Sequence, residues 1–370
     1  MILIIICLLQ SIICTEDDYL NDCSIYLAPS KHFPGRGIIT SKSLESGTVI
    51  DYSAITLPVP LAKISTWQLN NYVYASEEDY YAMCIFGMAM IFNHMGDEYY
   101  NAHHYWDISE NIPKISDILM IPYSNYTSVS YSIRENFTVE SGNEIFASYG
   151  DASWFLERNI QQIDIKSNDI VLYKEEELKK VGHCLSNVMI FDSDIPLAGK
   201  GLFAYKNFKK DDIVDISPVL ILRKHEVESI SNESVIMNYV ITSKNIDIVL
   251  LPLGLSAAIN HNSESLANLQ MEWYEWSTNS HDSLNKYSSI EDLLKSEFSP
   301  LDVSFRAKRD ISYGEELTIN YGIEWVEAWA SYLAVNYQQL NDITTPFRHP
   351  IIAPSDFFPK HWYVNSNDEL

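Results

Sequence analysis

Three kinds of residue in this chain could do chemistry, and each occurs twice in the same order. The first is a glycine pair, PGRG at 34–37 and AGKG at 198–201. The second is an Asn-His dipeptide, Asn93–His94 and Asn260–His261, each followed by a further asparagine, Asn101 and Asn268. The third is an acidic stretch that ends in Tyr-Gly: Gly142, Glu144, Tyr149 and Gly150 in one copy, Gly314, Glu316, Tyr321 and Gly322 in the other. The copies are offset by 164, 167 and 172 positions, so the order holds and only loop lengths drift. Repetition of this kind means one module present twice. A glycine lets backbone approach a neighbour because no Cβ intervenes. Asparagine and histidine supply hydrogen bonds, and the tyrosine arrives beside them at the end of a strand. Each piece also has a plainer reading: an ordinary turn, a buried knot that ties two loops, a strand end.

Other chemistries find no foothold. No Ser-His-Asp order, no His-Glu-x-x-His and no phosphate loop occurs, and the glycine pairs lack the third glycine of a dinucleotide fingerprint. His103–His104 has no third ligand at zinc-binding spacing, so no metal site is expected.

The elements that must position these residues read mostly as strands. Residues 41–59 and 205–222 alternate apolar and polar around a turn, the pattern of paired short strands. Residues 121–136 and 302–311 read as strands that lead into the last motif. The run EEDYYAMCIFGMAMIFN (77–93) is apolar too densely for a half-buried strand and reads as a buried helix. Residues 166–186 are polar, with a helical patch at Glu175–Lys180, and read as a linker. The stretch 277–300 is an insertion of the second copy, a surface loop with a short helix at Ile290–Glu297. Residues 323–340 carry apolar residues at helical spacing and are expected to pack back on the second module.

Taken together, the three blocks resemble the SET domain of protein-lysine methyltransferases. The second copy matches better, with GKG, INHNSESLAN and YGEELTINYG, and the first is looser, with FNHMGDEYYN and SGNEIFASYG. Neither has the family's Ser-Cys after Asn-His or its Pro before the later Asn. The resemblance implies a mostly β fold with added helices (α+β), two SET-like β-clip domains in tandem at 22–158 and 190–325, joined by a linker at 159–189. A C-terminal helix and irregular tail fill 326–370. It implies S-adenosylmethionine as cofactor, held by Gly199, Lys200, Gly201, Asn260 and His261 in the second module and by Gly35, Arg36, Gly37, Asn93 and His94 in the first. It implies Tyr321, with Tyr149 its equivalent, as the catalytic residue, and a lysine side chain of a protein as substrate. No cysteine follows Cys184, so the zinc segment that closes many family members is absent. Trp325 and Trp329 are the candidate lids instead. Two other readings stand beside the enzyme: a SET-fold scaffold without catalysis, and an acidic luminal protein that holds cations loosely.

Net charge is −25 over 370 residues, with an isoelectric point near 4.6. No basic patch exists to meet phosphates, which argues against nucleic acid as partner and permits a basic protein. The run from Ile2 to Cys14, apolar but for a break at Gln10, is too short to span a bilayer, and residues 1–15 fit a secretory signal peptide. The chain ends Asn367-Asp368-Glu369-Leu370, one residue from an endoplasmic-reticulum retrieval signal, and sequons begin at Asn125, Asn136 and Asn232. The expected address is the reticulum lumen, or secretion, with no transmembrane anchor. Beyond the signal, Cys23, Cys84 and Cys184 permit one disulfide at most.

Overall fold

The computed structural model describes residues 23–363 apart from 54, 76–80, 97, 109–126, 164–168, 277–286, 288, 297–298 and 337–346. The expected signal peptide, the C-terminal tetrapeptide and the Asn125 sequon lie outside the described residues.

Among the described residues the first half is built from ten short strands. These are β1 (Ile25–Pro29), β2 (Arg36–Thr40), β3 (Val49–Ser53), β4 (Ile55–Pro60), β5 (Val73–Ala75), β6 (Tyr81–Phe86), β7 (Asn93–His94), β8 (Ala102–Ile108), β9 (Thr127–Ile133) and β10 (Phe146–Ala147). After β11 (His183–Cys184) the second half follows with β12 (Val188–Asp192), β13 (Lys200–Ala204), β14 (Ile213–Arg223), β15 (Ile241–Thr242), β16 (Ile248–Pro252), β17 (Asn260–His261), β18 (Leu269–Tyr274), β19 (Leu301–Ala307) and β20 (Glu316–Ile319), and ends with β21 (Ile351–Ile352). Helices are few. The longest, Ile323–Asn336, follows β20, as the helix Ala152–Glu157 follows β10. Among the described residues no helix is long and apolar enough to cross a membrane.

The same pairings occur in both halves. β1 and β2 pair antiparallel, as do β12 and β13. β8 and β9 pair antiparallel, as do β18 and β19. The two-residue strand with Asn-His lies parallel to the last strand in each: β7 with β10, β17 with β20. In sheet order β10 sits between β8 and β7, and β20 between β13 and β17. A late strand is thus inserted beside earlier ones, which brings residues remote in sequence together.

The helix expected over 77–93 is not found in the described part of that span, residues 81–93. Residues Tyr81–Phe86 are β6, hydrogen-bonded between β4 and β5, and Met88–Ile91 make a single 3₁₀ turn. The run is apolar throughout because the strand is covered on both faces: Ala82 to Phe86 are all buried. A doubly buried strand loses the alternation that identifies strands in sequence. Gly87, with φ of 152°, separates the strand from the turn.

A chain of this length could form two separate cores. Instead one apolar cluster runs through both halves, from Leu27, Ile38 and Phe86 to Val219, Leu250 and Leu317. Phe86 stacks on Tyr239 across the junction, with ring centroids 5.1 Å apart. Gln68 donates to the carbonyls of Leu294 and Ser296 at 2.7 and 2.6 Å.

The segment read as a linker is folded onto the first half. Its helix, Glu175–Val181, buries Leu178 in a small cluster with Tyr26, Ile39 and Tyr173. β11 pairs with β1, and Cys184 forms a disulfide with Cys23. The third cysteine, Cys84, is free and buried, and burial pushes its thiol pKa up. Next to the disulfide, the largely covered His183 faces the buried Asp215 of β14 across the junction at 3.8 Å. Burial lowers the imidazole to about 4 and raises the carboxyl to about 7.

Closing a loop between residues 161 apart constrains the unfolded chain, and native disulfides of this kind contribute about 2–5 kcal/mol. Replacing Cys23 and Cys184 by serine is expected to lower the thermal midpoint by several degrees in calorimetry. Native protein should not react with iodoacetamide at Cys84. An unchanged midpoint in the double variant would show that the bridge does not constrain the fold.

Candidate functional site

The glycine pairs do their work on a neighbouring side chain. Gly35 and Gly199 have φ of 101° and 75°, the left-handed region that favours glycine. The second glycine of each pair is needed for space. A Cβ on Gly37 would overlap the Glu144 carboxylate, and one on Gly201 would overlap that of Glu316. The carboxylate lies against bare backbone and joins three segments. Glu144 accepts from Asn93 Nδ2 at 2.5 Å and from Ser30 Oγ at 2.7 Å. Glu316 accepts from Asn260 Nδ2 at 3.0 Å, from Ser193 Oγ at 2.7 Å and from the Asp194 N–H at 3.0 Å.

Each Asn-His pair completes the knot. Asn93 and Asn260 also donate to the carbonyls of Arg36 and Lys200, the middle residues of the glycine motifs, both at 2.8 Å. His94 Nδ1 accepts from the Tyr149 N–H at 3.0 Å, and His261 Nδ1 from the Tyr321 N–H at 3.1 Å. Burial lowers the pKa of His261, which keeps the ring neutral and Nδ1 able to accept. The later asparagines brace the same strand. Asn101 accepts from the Phe146 N–H and donates to the Glu144 carbonyl; Asn268 does the same with Thr318 and Glu316.

The two tyrosines differ. Both lie two residues beyond the last strand, and both hydroxyls donate to the carbonyl before Asn-His, Phe92 for Tyr149 and Ile259 for Tyr321. Burial pushes both phenols up, so both stay protonated. Tyr321 is 9 % exposed, beneath Trp325 at 5.1 Å between ring centroids. Trp325 also covers His261 at 4.9 Å and is itself backed by Phe347. Tyr149 is half-buried and lines a cavity of about 200 Å³. Gly35, Arg36, Asn93, His94, Trp154 and Phe155 border it too, and Pro218, Leu253 and Ser299 close it from the second half.

The geometry therefore brings together Gly35, Gly37, Asn93, His94 and Tyr149 in one half, and Gly199, Gly201, Asn260, His261 and Tyr321 in the other. The side chains of Arg36 and Lys200 leave. Lys200 pairs with Asp192 at 2.6 Å on the surface. Arg36 crosses to the second half and pairs with Asp302, both buried, where Trp276 also donates to Asp302 at 3.0 Å. Only the backbone of these two residues remains at the glycine turn. Sequence reasoning missed Ser30 and Ser193, which recur 163 positions apart but precede their motifs across a loop. It also gave the glutamates no role, although their recurrence beside the glycines was visible.

With this geometry in hand, residues 199–322 match the family model of the SET domain, roughly a third of the chain. No curated protein matches the chain. Solved structures overlap it in part. A Plasmodium falciparum protein described provisionally as a histone methyltransferase aligns at 22 % identity over 38 % of this chain and 97 % of that one, with a TM-score of 0.26. A chain of an active polycomb repressive complex 2 in its basal state aligns at 22 % over 36 % of this chain and 15 % of that one, with a TM-score of 0.27. The Chaetomium thermophilum complex gives 21 %, the same coverage and 0.27.

Gly37→Ala and Gly201→Ala are each expected to cost about 1–3 kcal/mol in urea unfolding, because the carboxylate must shift. Burial raises Glu144 from 4.5 to about 7, against the pull of Asn93 and Ser30. The folded state then holds a proton that the unfolded state has lost between those values, so this group's contribution to stability falls as pH rises from 4.5 to 7. The loss is at most about 3 kcal/mol. Glu144→Gln should remove that part of the slope in unfolding measured from pH 5 to 8; an unchanged slope would show that Glu144 titrates normally.

Proposed function

We propose that the SET domain of residues 199–322 is a protein-lysine methyltransferase dependent on S-adenosylmethionine, with the second half as the active module. The observation that supports it most is the triple convergence at the family match. Backbone at Gly199–Gly201, the Asn260–His261 segment and Tyr321 are pinned to one another through Glu316 and His261. Gly199, Asn260, His261 and Trp325 all keep part of their surface accessible. A nucleoside laid there would meet backbone, imidazole and indole, while the Lys200 ammonium turns away to Asp192. The residues fit the cofactor on that ground. The cofactor supplies the methyl group on a cationic sulfur.

The chain must deliver a neutral lysine. Stripping its proton at pH 7 costs about 4.6 kcal/mol from a reference pKa near 10.4. Burial beside Tyr321 and Trp325 disfavours the ammonium and lowers that cost. The Tyr321 oxygen, its own proton committed to the Ile259 carbonyl, presents lone pairs that accept from the incoming amine. It orients the amine and need not act as a base. Holding amine and methyl in line supplies much of the remaining acceleration. The acidic chain fits a basic protein substrate, through attraction at a distance. An address in the secretory pathway agrees with the Cys23–Cys184 disulfide, since such bonds persist in oxidising compartments.

A second reading, a SET-fold scaffold without catalysis, is favoured by one feature: Trp325 lies directly over the phenol that should receive the substrate. The readings separate in calorimetry. The enzyme predicts heat on titrating S-adenosylmethionine into the full chain. Tyr321→Phe should keep cofactor affinity within about threefold and lower methyl transfer by about 10²-fold or more. Trp325→Ala should change cofactor affinity. No binding at millimolar cofactor would leave the scaffold.

A further inference from the structure

We propose that the outer face and free edge of the β12–β13 hairpin dock a segment of another polypeptide: a short helix followed by a strand that adds to β12, with a lysine or arginine set against Asp194. Docking there requires no catalysis in either half.

The first half shows what such a face holds. Tyr26, Ala28 and Ile39 of β1 and β2 lie on one side of their hairpin, and Tyr173 and Leu178 of the segment after the first half cover them. The strand that ends this segment, β11, adds to the outer edge of β1, with His183 opposite Leu27. Tyr173 anchors its start. The Tyr173 N–H donates to the Gly142 carbonyl at 2.8 Å, and the hydroxyl donates to the Pro29 carbonyl at 2.5 Å. A cation closes the contact: Lys31 Nζ pairs with Glu177 at 2.7 Å and lies 4.0 Å over the Tyr173 ring.

The second half repeats the hairpin and leaves it uncovered. Ala28 stands opposite Gly37 as Phe191 stands opposite Gly201, and Tyr26 opposite Ile39 as Met189 opposite Phe203. The positions correspond, but Tyr26 and Ala28 are buried while Met189 and Phe191 are 39 % and 49 % exposed. Apolar surface continues at both ends of the hairpin. Leu197 is exposed in its turn, and beyond β13 the exposed rings of Tyr205 and Tyr313 lie 5.5 Å apart. Among the described residues no strand pairs with the outer edge of β12. A Cβ on Gly142 would overlap the Tyr173 carbonyl, whereas one on the equivalent Gly314 would meet nothing within 4 Å. An open edge strand is a template for a further strand, and strand addition with pockets for alternate side chains is a recurring mode of peptide recognition.

Charge selects the occupant. Ser30 and Ser193 hold the same turn, accepting from the N–H groups of His32 and Ile195. The residues between therefore correspond: Lys31 in the first half, the exposed Asp194 in the second. Where the first half presents a cation to an acidic helix, the second presents an anion, so its occupant carries a cation at the place of Glu177. A second copy of this chain, with its net charge of −25, brings the opposite sign.

The probes are two synthetic peptides of residues 169–186 with Cys184→Ser, one keeping Glu177 and one with Glu177→Lys, titrated into the full chain by fluorescence anisotropy. The Glu177→Lys peptide should bind about threefold or more tightly than the other. Phe191→Asp, at a side chain half in solvent, should weaken it by about tenfold. Asp194→Lys should reverse the order of the two peptides, which a misfolded variant would not do. In hydrogen exchange of the unmutated protein, the amide of Ile190, which stands where Leu27 pairs with His183, should gain protection on binding. No binding of either peptide at millimolar concentration, an order unmoved by Asp194→Lys, or binding without protection at Ile190 each overturns the proposal. So does sedimentation of the free chain as a dimer that Phe191→Asp dissociates, which would make a second copy the occupant.

Discussion

A carboxylate resting on a glycine, buried in the first half and half-buried in the second, holds each half of this protein together. Glu144 and Glu316 occupy the space that the missing Cβ of Gly37 and Gly201 leaves open, and from there each reaches the asparagine of the Asn-His pair and a serine ahead of the glycine turn. Three segments more than 50 residues apart become one rigid knot. Everything with chemical promise hangs on it. The asparagine fixes the carbonyl of the glycine turn, the histidine fixes the backbone of the tyrosine, and the tyrosine hydroxyl returns to the carbonyl before the asparagine. The circuit closes on itself, so the tyrosine ring has little freedom to leave its place.

The repeated motifs made most of this circuit legible before any coordinates. Gly37, the Asn93–His94 pair and Tyr149 share neither a strand nor a loop, and only their recurrence as Gly201, Asn260–His261 and Tyr321 marked them as a set. What stayed hidden follows from physics that a single sequence does not carry. The strand Tyr81–Phe86 looks helical because both its faces are covered, and cover on the second face comes from tertiary packing. Ser30 and Ser193 are common residues in turns, with no pattern to separate them from any other serine. Arg36 stands inside a motif yet serves the junction, because its partner Asp302 lies 266 positions away. The cavity was hidden for the same reason: its last wall comes from Pro218, Leu253 and Ser299.

The halves are similar in their knots and different in their surroundings. In the second, Trp325 and Phe347 pack over His261 and Tyr321, and the C-terminal strand β21 runs parallel to β15. In the first, the corresponding helix is only six residues, Ala152–Glu157, and its aromatic residues edge an open space. The two halves share these hydrogen bonds and differ in what packs around them. The continuous apolar core means that neither arrangement is independent of the other half, since Phe86 and Tyr239 share a stack and the buried Arg36–Asp302 pair spans the junction.

The bond between Cys23 and Cys184 has a topological side. Its two ends bracket the whole first half, so that half is closed into a covalent ring. A peptide bond cleaved anywhere between those cysteines opens the ring without releasing a piece. The molecule would keep its mass and its shared core and would come apart in two only when a thiol is added. Damage to the backbone of one half is thereby converted from a loss into a scar.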